Sequence, residues 1–359
     1  MNYRLFPRSL LAPLLGAAIC FAAGPRLAAE ARTQVRLTVD EDPIVPRLAE
    51  SLGYFASEGL DVARVDLLTV APDDYLMQKP LIEGKIDASY HWFNHTIFGV
   101  RHNLPIKAVM MFNDAPGMSV LVANRVKNQI KRPADFKGRT VAEGAGYGTK
   151  SVITHYMARK AGLGPNDYTP VMLVHDGRQQ AVIQGLHEDK VDVMTFEEPI
   201  TSALLATGLV SPLFDLNSGP TTAKVLGSVW PAQSLLMAPS YISAHPDTVQ
   251  HLVNAFVKTM RFINSHSPDE IIAQLPPSFW EGKDRTAETE LVRRTLSAFA
   301  RGSYAITPKS AQLVLDTVEH FDFDDSQEGK WRRGAEHPHV DPDQLYDNRF
   351  VKKAMKANP

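Results

Sequence analysis

A single cysteine, Cys20, occurs in 359 residues, close to the N-terminus. Nothing downstream can therefore form a disulfide framework, a cysteine-based metal centre or a reactive thiol. Charge of one sign is also lacking, with 38 Lys and Arg against 40 Asp and Glu. That balance leaves no electrostatic footprint for nucleic acid or an anionic membrane surface. No long apolar run follows Ala31, so the body of the chain holds no segment fit to span a membrane. Gly-x-Ser-x-Gly, His-Glu-x-x-His and triad-like groupings are missing as well. The chain reads as a non-enzyme that needs no metal or other cofactor.

The N-terminus is the apolar exception. Arg4 and Arg8 precede an apolar stretch from Leu10 to Ala23, and the small residues of Ala29-Glu30-Ala31 follow. Basic, apolar and small regions in that order mark a cleaved secretory signal peptide over residues 1–31. A spanning anchor would need roughly 20 predominantly apolar residues, and this run is shorter and broken by Pro13. Ile19 before Cys20 does not fit a lipid-anchoring site, which wants a small residue there. The segment carries Arg4, Arg8, Arg26 and Glu30, so its removal leaves 35 basic residues against 39 acidic. The expected product is a soluble, monomeric periplasmic chain starting near Arg32. Its roughly 330 residues are enough for two domains held by core packing alone.

Strands and helices alternate through the first half. Gln34–Val39, Asp61–Leu68, Ile86–Ser89 and Ile106–Phe112 read as strands, with helices from Pro43, near Asp74 and near Phe93. Such alternation implies βαβ units and a mostly parallel sheet, an α/β fold. The grammar then repeats, with strands at Arg139–Ala142, Thr169–Val174 and Val191–Met194 and helices at Tyr147–Lys160 and Gly177–Leu186. Gly59-Leu60 is matched by Gly162-Leu163, and Leu81–Ala88 by Leu186–Val193, at offsets of 103 and 105 residues. Glycine after a helix and a charged turn before a strand recur in many α/β proteins. The shared order and spacing favour two lobes of similar topology.

After the strand Ser234–Ala238 the chain turns helical. His245-Pro246-Asp247 opens a helix with Val249, Leu252, Val253, Phe256, Met260 and Ile263 at helical spacing. Asp324 to Pro342 reads as a surface loop. These C-terminal helices must pack back on the first lobe, so the chain crosses between lobes twice, near Leu121–Arg125 and Trp230–Leu235. Residues 32–123 and 234–359 are assigned to the first lobe and 124–233 to the second.

Three segments carry a family resemblance: Gly53-Tyr54-Phe55-Ala56-Ser57-Glu58-Gly59-Leu60-Asp61-Val62, Pro133 to Ala142, and His245-Pro246-Asp247-Thr248-Val249. In order, they resemble the hallmarks of ABC-importer substrate-binding proteins of the SsuA/TauA/THI5-like (NMT1-like) group, over about Val35 to Asn348. The resemblance implies a type II periplasmic-binding fold, with two lobes, two crossovers and the ligand between them. It also implies an ABC permease and ATPase as partners. Members take up aliphatic sulfonates, taurine, nitrate, aromatic acids or thiamine-precursor pyrimidines, so the ligand stays open. An exported sensor or protein-binding domain is the alternative. A THI5-like pyrimidine synthase is disfavoured, since those enzymes use pyridoxal phosphate, iron and a cysteine-rich motif.

Ligands of open α/β sheets bind beyond the carboxyl ends of the strands. That places Asp40-Glu41-Asp42, Tyr90 to Asn94 and Asn113-Asp114 on one wall, and Gly144 to Ser151, Asp176 and Glu197-Glu198 on the other. Gly146, Tyr147, Gly148, Thr149, Lys150 and Ser151 run from a strand into a helix. Free backbone N–H groups, the helix dipole and the Thr149, Lys150 and Ser151 donors make this an anion site. It is not a phosphate-binding P-loop, because Thr149 replaces the glycine before Lys-Ser. The stretch resembles the family's Gly/Ser-rich ligand loop; a glycine turn packing a helix on its strand is the bland account. Glu197 and Glu198 either contact ligand or complement a helix dipole, and Asp40, Glu41 and Asp42 pose the same question. Acids facing Lys150 point to a ligand with both donors and acceptors. His91, Trp92 and Asn94 offer stacking and polar contacts without metal-ligand register. Trp230 belongs either to the cleft or to hinge packing.

Overall fold

The computed structural model describes residues 31–39, 44–70, 77–143, 149–164, 166–172, 178–318, 322–324, 330–332 and 339–358. Residues 1–30, Asp40–Asp42, Gly146–Gly148 and Asp176 lie outside that set, and with them the signal peptide and part of both expected walls.

The first sheet draws on β1 (Thr33–Val39), β2 (Leu60–Asp66), β3 (Ala88–Trp92) and β4 (Lys107–Met111). Between them run α1 (Ile44–Ser51), α2 (Tyr54–Ser57), α3 (Leu67–Val70), α4 (Gln78–Ile82) and α5 (His95–Arg101). The second sheet draws on β5 (Met118–Ala123), β6 (Thr140–Glu143), β7 (Thr169–Met172), β8 (Val193–Glu197) and β9 (Val210–Leu216). Its helices are α6 (Thr149–Lys160), α7 (Arg178–His187), α8 (Ile200–Ala206) and α9 (Gly219–Leu226). β10 (Gln233–Met237) then returns to the first sheet. It is followed by α10 (Pro239–Ala244), α11 (Pro246–Ser265), α12 (Pro268–Gln274), α13 (Arg285–Thr295), α14 (Pro308–Val318) and α15 (Arg349–Ala357).

Strand orders are β2-β1-β3-β10-β4 and β7-β6-β8-β5-β9. The fourth strand of each, β10 or β5, is antiparallel to its neighbours. The two sheets are therefore topological copies that exchange their antiparallel strands. The matched segments do matched work. Asp87 accepts the Arg36 N–H at 2.7 Å and pairs with the Arg36 guanidinium, while Asp192 accepts the Thr140 N–H at 2.9 Å and pairs with Arg125. Each aspartate locks the start of its own strand to the lobe's first strand.

Two expectations need correction. Met118–Ala123 is a strand of the second sheet, paired along its length with β8 and β9. The first crossing thus occupies residues 112–117, upstream of Leu121–Arg125. All six residues of β5 are buried, and a strand covered on both faces shows no alternation to read. Where a surface loop is expected from Asp324 to Pro342, β11 (Asp322–Asp324) pairs antiparallel with β12 (Lys330–Arg332). The second crossing runs through residues 227–232.

The Gly53–Val62 segment is structural. Gly53 and Gly59 take left-handed φ values of 69° and 71°, which a side chain would disfavour. Between them Glu58 accepts from Lys258 at 2.5 Å, His251 at 3.0 Å and Asn254 at 3.1 Å, tying α2 to α11. These bonds hold its carboxyl below the usual range despite partial burial. On the opposite face α11 buries Val249, Leu252, Val253, Phe256, Met260 and Ile263 against the first lobe.

Candidate ligand-binding cleft

Strand register dictates where the cleft lies. β4 ends at Met111, and β5 begins beside the carboxyl ends of β8 and β9, with Met118 paired to Glu197 and Leu216. Returning, β10 begins beside the carboxyl ends of β3 and β4, with Gln233 paired to Trp92 and Ser234 to Met111. Both crossovers therefore join the carboxyl edges of the two sheets, which must face one another. The crossovers are also bonded together: Trp230 N–H donates to Asp114 O at 3.0 Å and Ala232 N–H to Asn113 O at 3.1 Å.

On the first lobe, Trp92 is half-buried and lies edge-on to Trp230 at 6.2 Å. His91 points to the other face of β3, is buried, and packs on His95 with ring centroids 4.3 Å apart. Its Nδ1 accepts the Trp92 N–H at 2.7 Å. Asn94 and Asn113 are buried, and the side-chain oxygen of each meets no donor among the described residues. Trp230 is fully buried and its Nε1 donates to Thr317 Oγ1 at 3.3 Å, which makes it a hinge aromatic in this structure. Among the described residues no group of three or more His, Cys, Asp or Glu side chains is arranged to hold a metal ion.

On the second lobe, Thr149 and Ser151 are buried in the first turn of α6. Lys150 turns inward and donates to Glu197 Oε1 at 2.6 Å, its ammonium 5.7 Å from the Phe196 ring centroid. Glu197 Oε2 is buried without a donor among the described residues. Glu198 accepts the Ser202 N–H at 3.2 Å, at the head of α8. Arg294 of α13 reaches across from the C-terminal part, donating to Ser202 and lying 4.0 Å from Glu198. A groove of about 680 Å³ lined by Tyr156, Met157, Lys160, Phe214, Lys224 and Val225 shares none of these residues.

Thr38, Ser89 and Gln233, not among the residues read from the sequence, and Asp114, read there beside Asn113, are further candidates for the site. Thr38 and Ser89 are partners in the β1–β3 register, and among the described residues their hydroxyls are buried without partners, as is Gln233 Oε1. Polar residues inside otherwise apolar strands were the available signal. Asp114 stands in the first crossover against the N-terminus of α9. A Cβ on Gly219 would come 2.5 Å from Asp114 Oδ2, so glycine is what permits this approach. Burial pushes the Asp114 carboxyl up to about 6, against the pull of backbone N–H groups of Arg301 and Gly219 and of the Arg301 charge.

Because the folded value lies above the unfolded carboxylate value, the folded state holds this proton more tightly. The associated stability is full at low pH and is lost as pH rises from about 4 through 6. An asparagine in place of Asp114 mimics the protonated form and does not titrate. Asp114→Asn is expected to melt progressively higher than the wild type as pH is raised across that interval, with a constant difference above it. Thermal unfolding of both proteins from pH 4 to 8 measures this, and a pH-independent difference would refute it.

Residues 46–271 match the family model described as NMT1/THI5 like, and the chain belongs to that family. No curated protein matches it. Among solved structures it is similar to the periplasmic aliphatic sulphonate binding protein SsuA from Escherichia coli, with 21% identity, a TM-score of 0.62, and coverage of 80% of this chain and 85% of the other. It is likewise similar to the periplasmic nitrate-binding protein NrtA from Synechocystis PCC 6803, at 12% identity, TM-score 0.63 and coverage of 91% and 89%. The desulfurization enzyme DSZB shares the fold at 13% identity, TM-score 0.57 and coverage of 90% and 100%. The fold is that of type II periplasmic-binding proteins.

Proposed function

We propose that the chain is the exported solute-binding component of an ABC-type importer, without catalytic activity, and that it captures a small polar or anionic organic solute between its lobes. The observation that carries this reading is the pair of topologically equivalent sheets whose carboxyl edges face each other across two crossovers, with buried polar atoms left for a ligand. Family membership and the sulphonate- and nitrate-binding neighbours support it. A solute touching both walls favours the closed arrangement by its differential affinity. Among the described residues no helix is long and apolar enough to cross a membrane. The arginines, apolar run and Ala29-Glu30-Ala31 support export with cleavage after Ala31.

Two measurements test the reading. Mass spectrometry of small molecules released from the purified protein should identify the solute. Small-angle scattering with that compound should then show a smaller radius of gyration. A protein that releases nothing and keeps its dimensions with every solute offered is not such a component. Sequencing the periplasmic form should begin near Arg32; an intact Met1 there would exclude cleavage.

A further inference from the structure

The floor of the cleft is built at the head of β5. Glu197 is the register partner of Met118, and Asp114 lies just before Met118 in the crossover, against Gly219 of α9. The two carboxylates therefore flank one strand end, one on the β8 side and one on the β9 side. Ionised carboxylates can only accept hydrogen bonds. One oxygen of Glu197 takes the Lys150 ammonium, and the other is buried with no donor among the described residues. Asp114 is nine-tenths buried, and its Oδ1 also meets no donor among them. Asn94, Asn113 and Gln233 add side-chain oxygens in the same condition, but an amide can turn either end to a ligand. The carboxylates cannot.

Three nearby cations of the described residues are already engaged. Lys150 is bound to Glu197, and Arg294 is held by Ser202 beside Glu198. The Arg301 charge acts on Asp114 without donating to Oδ1. A buried acceptor with no partner is unfavourable until a donor arrives.

We propose that the solute carries a cationic or N–H-donating group, such as an amine, amidine or amino-substituted nitrogen heterocycle, that is received by Asp114 and Glu197. The proposal rests on the solute-binding reading and narrows its solute class. The remainder of the solute lies toward Thr149 and Ser151 at the start of α6, where acceptor groups are favoured. A solute made of acceptors alone would set its oxygens against two carboxylates and be repelled.

The test uses the full-length mature protein and compounds in pairs that differ by one amino group: 2-aminoethanesulfonate and ethanesulfonate, 4-aminobenzoate and benzoate, 4-aminopyrimidine and pyrimidine. Retention after rapid desalting is read by mass spectrometry, and retained compounds are titrated by calorimetry. The expected result is at least tenfold tighter binding of an amino compound than of its partner. Asp114→Asn and Glu197→Gln should each lower that affinity tenfold or more, and should tighten binding of the partner compound, since each removes one of the repelling carboxylates. Equal or tighter binding of the partner lacking the amino group would overturn the solute class and leave the solute-binding reading standing. Wild-type affinity for the amino compound in both variants would overturn the assignment of these two residues. Retention of no compound would overturn the proposal together with the reading beneath it.

Discussion

Replacing Trp230 with alanine is expected to destabilise the protein by about 3–5 kcal/mol, the usual range for deleting a fully buried large aromatic. Trp230 is 0% exposed and sits in the second crossover. Its backbone N–H is bonded to Asp114 O in the first crossover at 3.0 Å, its ring lies 6.2 Å from Trp92, and its Nε1 donates to Thr317 in α14. The residue thus joins the two crossovers through its backbone, and its side chain meets β3 and α14. The cavity left by alanine cannot collapse without moving one of them, so cavity and lost transfer energy add. Trp230→Phe keeps most of the apolar contact and loses the indole bond, at an expected cost of about 1 kcal/mol. Equilibrium unfolding in guanidinium, followed by circular dichroism, separates the two. An alanine variant within about 1 kcal/mol of the wild type would mean that the crossovers do not depend on this packing.

Much of the architecture can be read from periodicity and spacing because local physics determines it. The repeated Leu81–Ala88 and Leu186–Val193 segments have equivalent roles: Gly84 and Asp189 both take positive φ at the turn, and Asp87 and Asp192 both bond a neighbouring strand. β5 left no such trace, since its identity depends on partners contributed by residues 193–197 and 210–216. β9 is equally hard to read, with Pro212 in an edge strand that needs no ladder donor there. Within the cleft, the helix after β6 is legible from the sequence, and the described part of it runs over Thr149–Lys160. The direction of Lys150 is not legible, because neighbours on a helix face different ways and only the position of Glu197 decides which way it turns. The position of Asp114 beside Asn113 is legible, but its burial is not. Its burial follows from Gly219, more than a hundred residues later in the chain.

Thr149→Ala and Ser151→Ala are each expected to weaken solute binding about ten- to a hundredfold, the effect of removing one charge-assisted, partly desolvated hydrogen bond worth about 1.5–3 kcal/mol. Both hydroxyl residues are buried in the first turn of α6, where the positive end of the helix dipole favours acceptor groups. The melting temperature of the empty protein should barely move, because alanine is the better helix former and offsets the small loss of local polar contact. Lys150→Ala is a different experiment. It removes the ammonium that holds Glu197 Oε1 and leaves a second unpartnered carboxylate oxygen, so its effect mixes solute binding with repulsion on the cleft floor. The hydroxyl variants avoid that confusion. Calorimetric titration with the solute released from the wild-type protein gives the affinities, and scanning calorimetry without solute gives the stabilities. Wild-type affinity in both variants would remove α6 from the binding site, and a large drop in the melting temperature of the empty protein would assign the two hydroxyls to the fold instead.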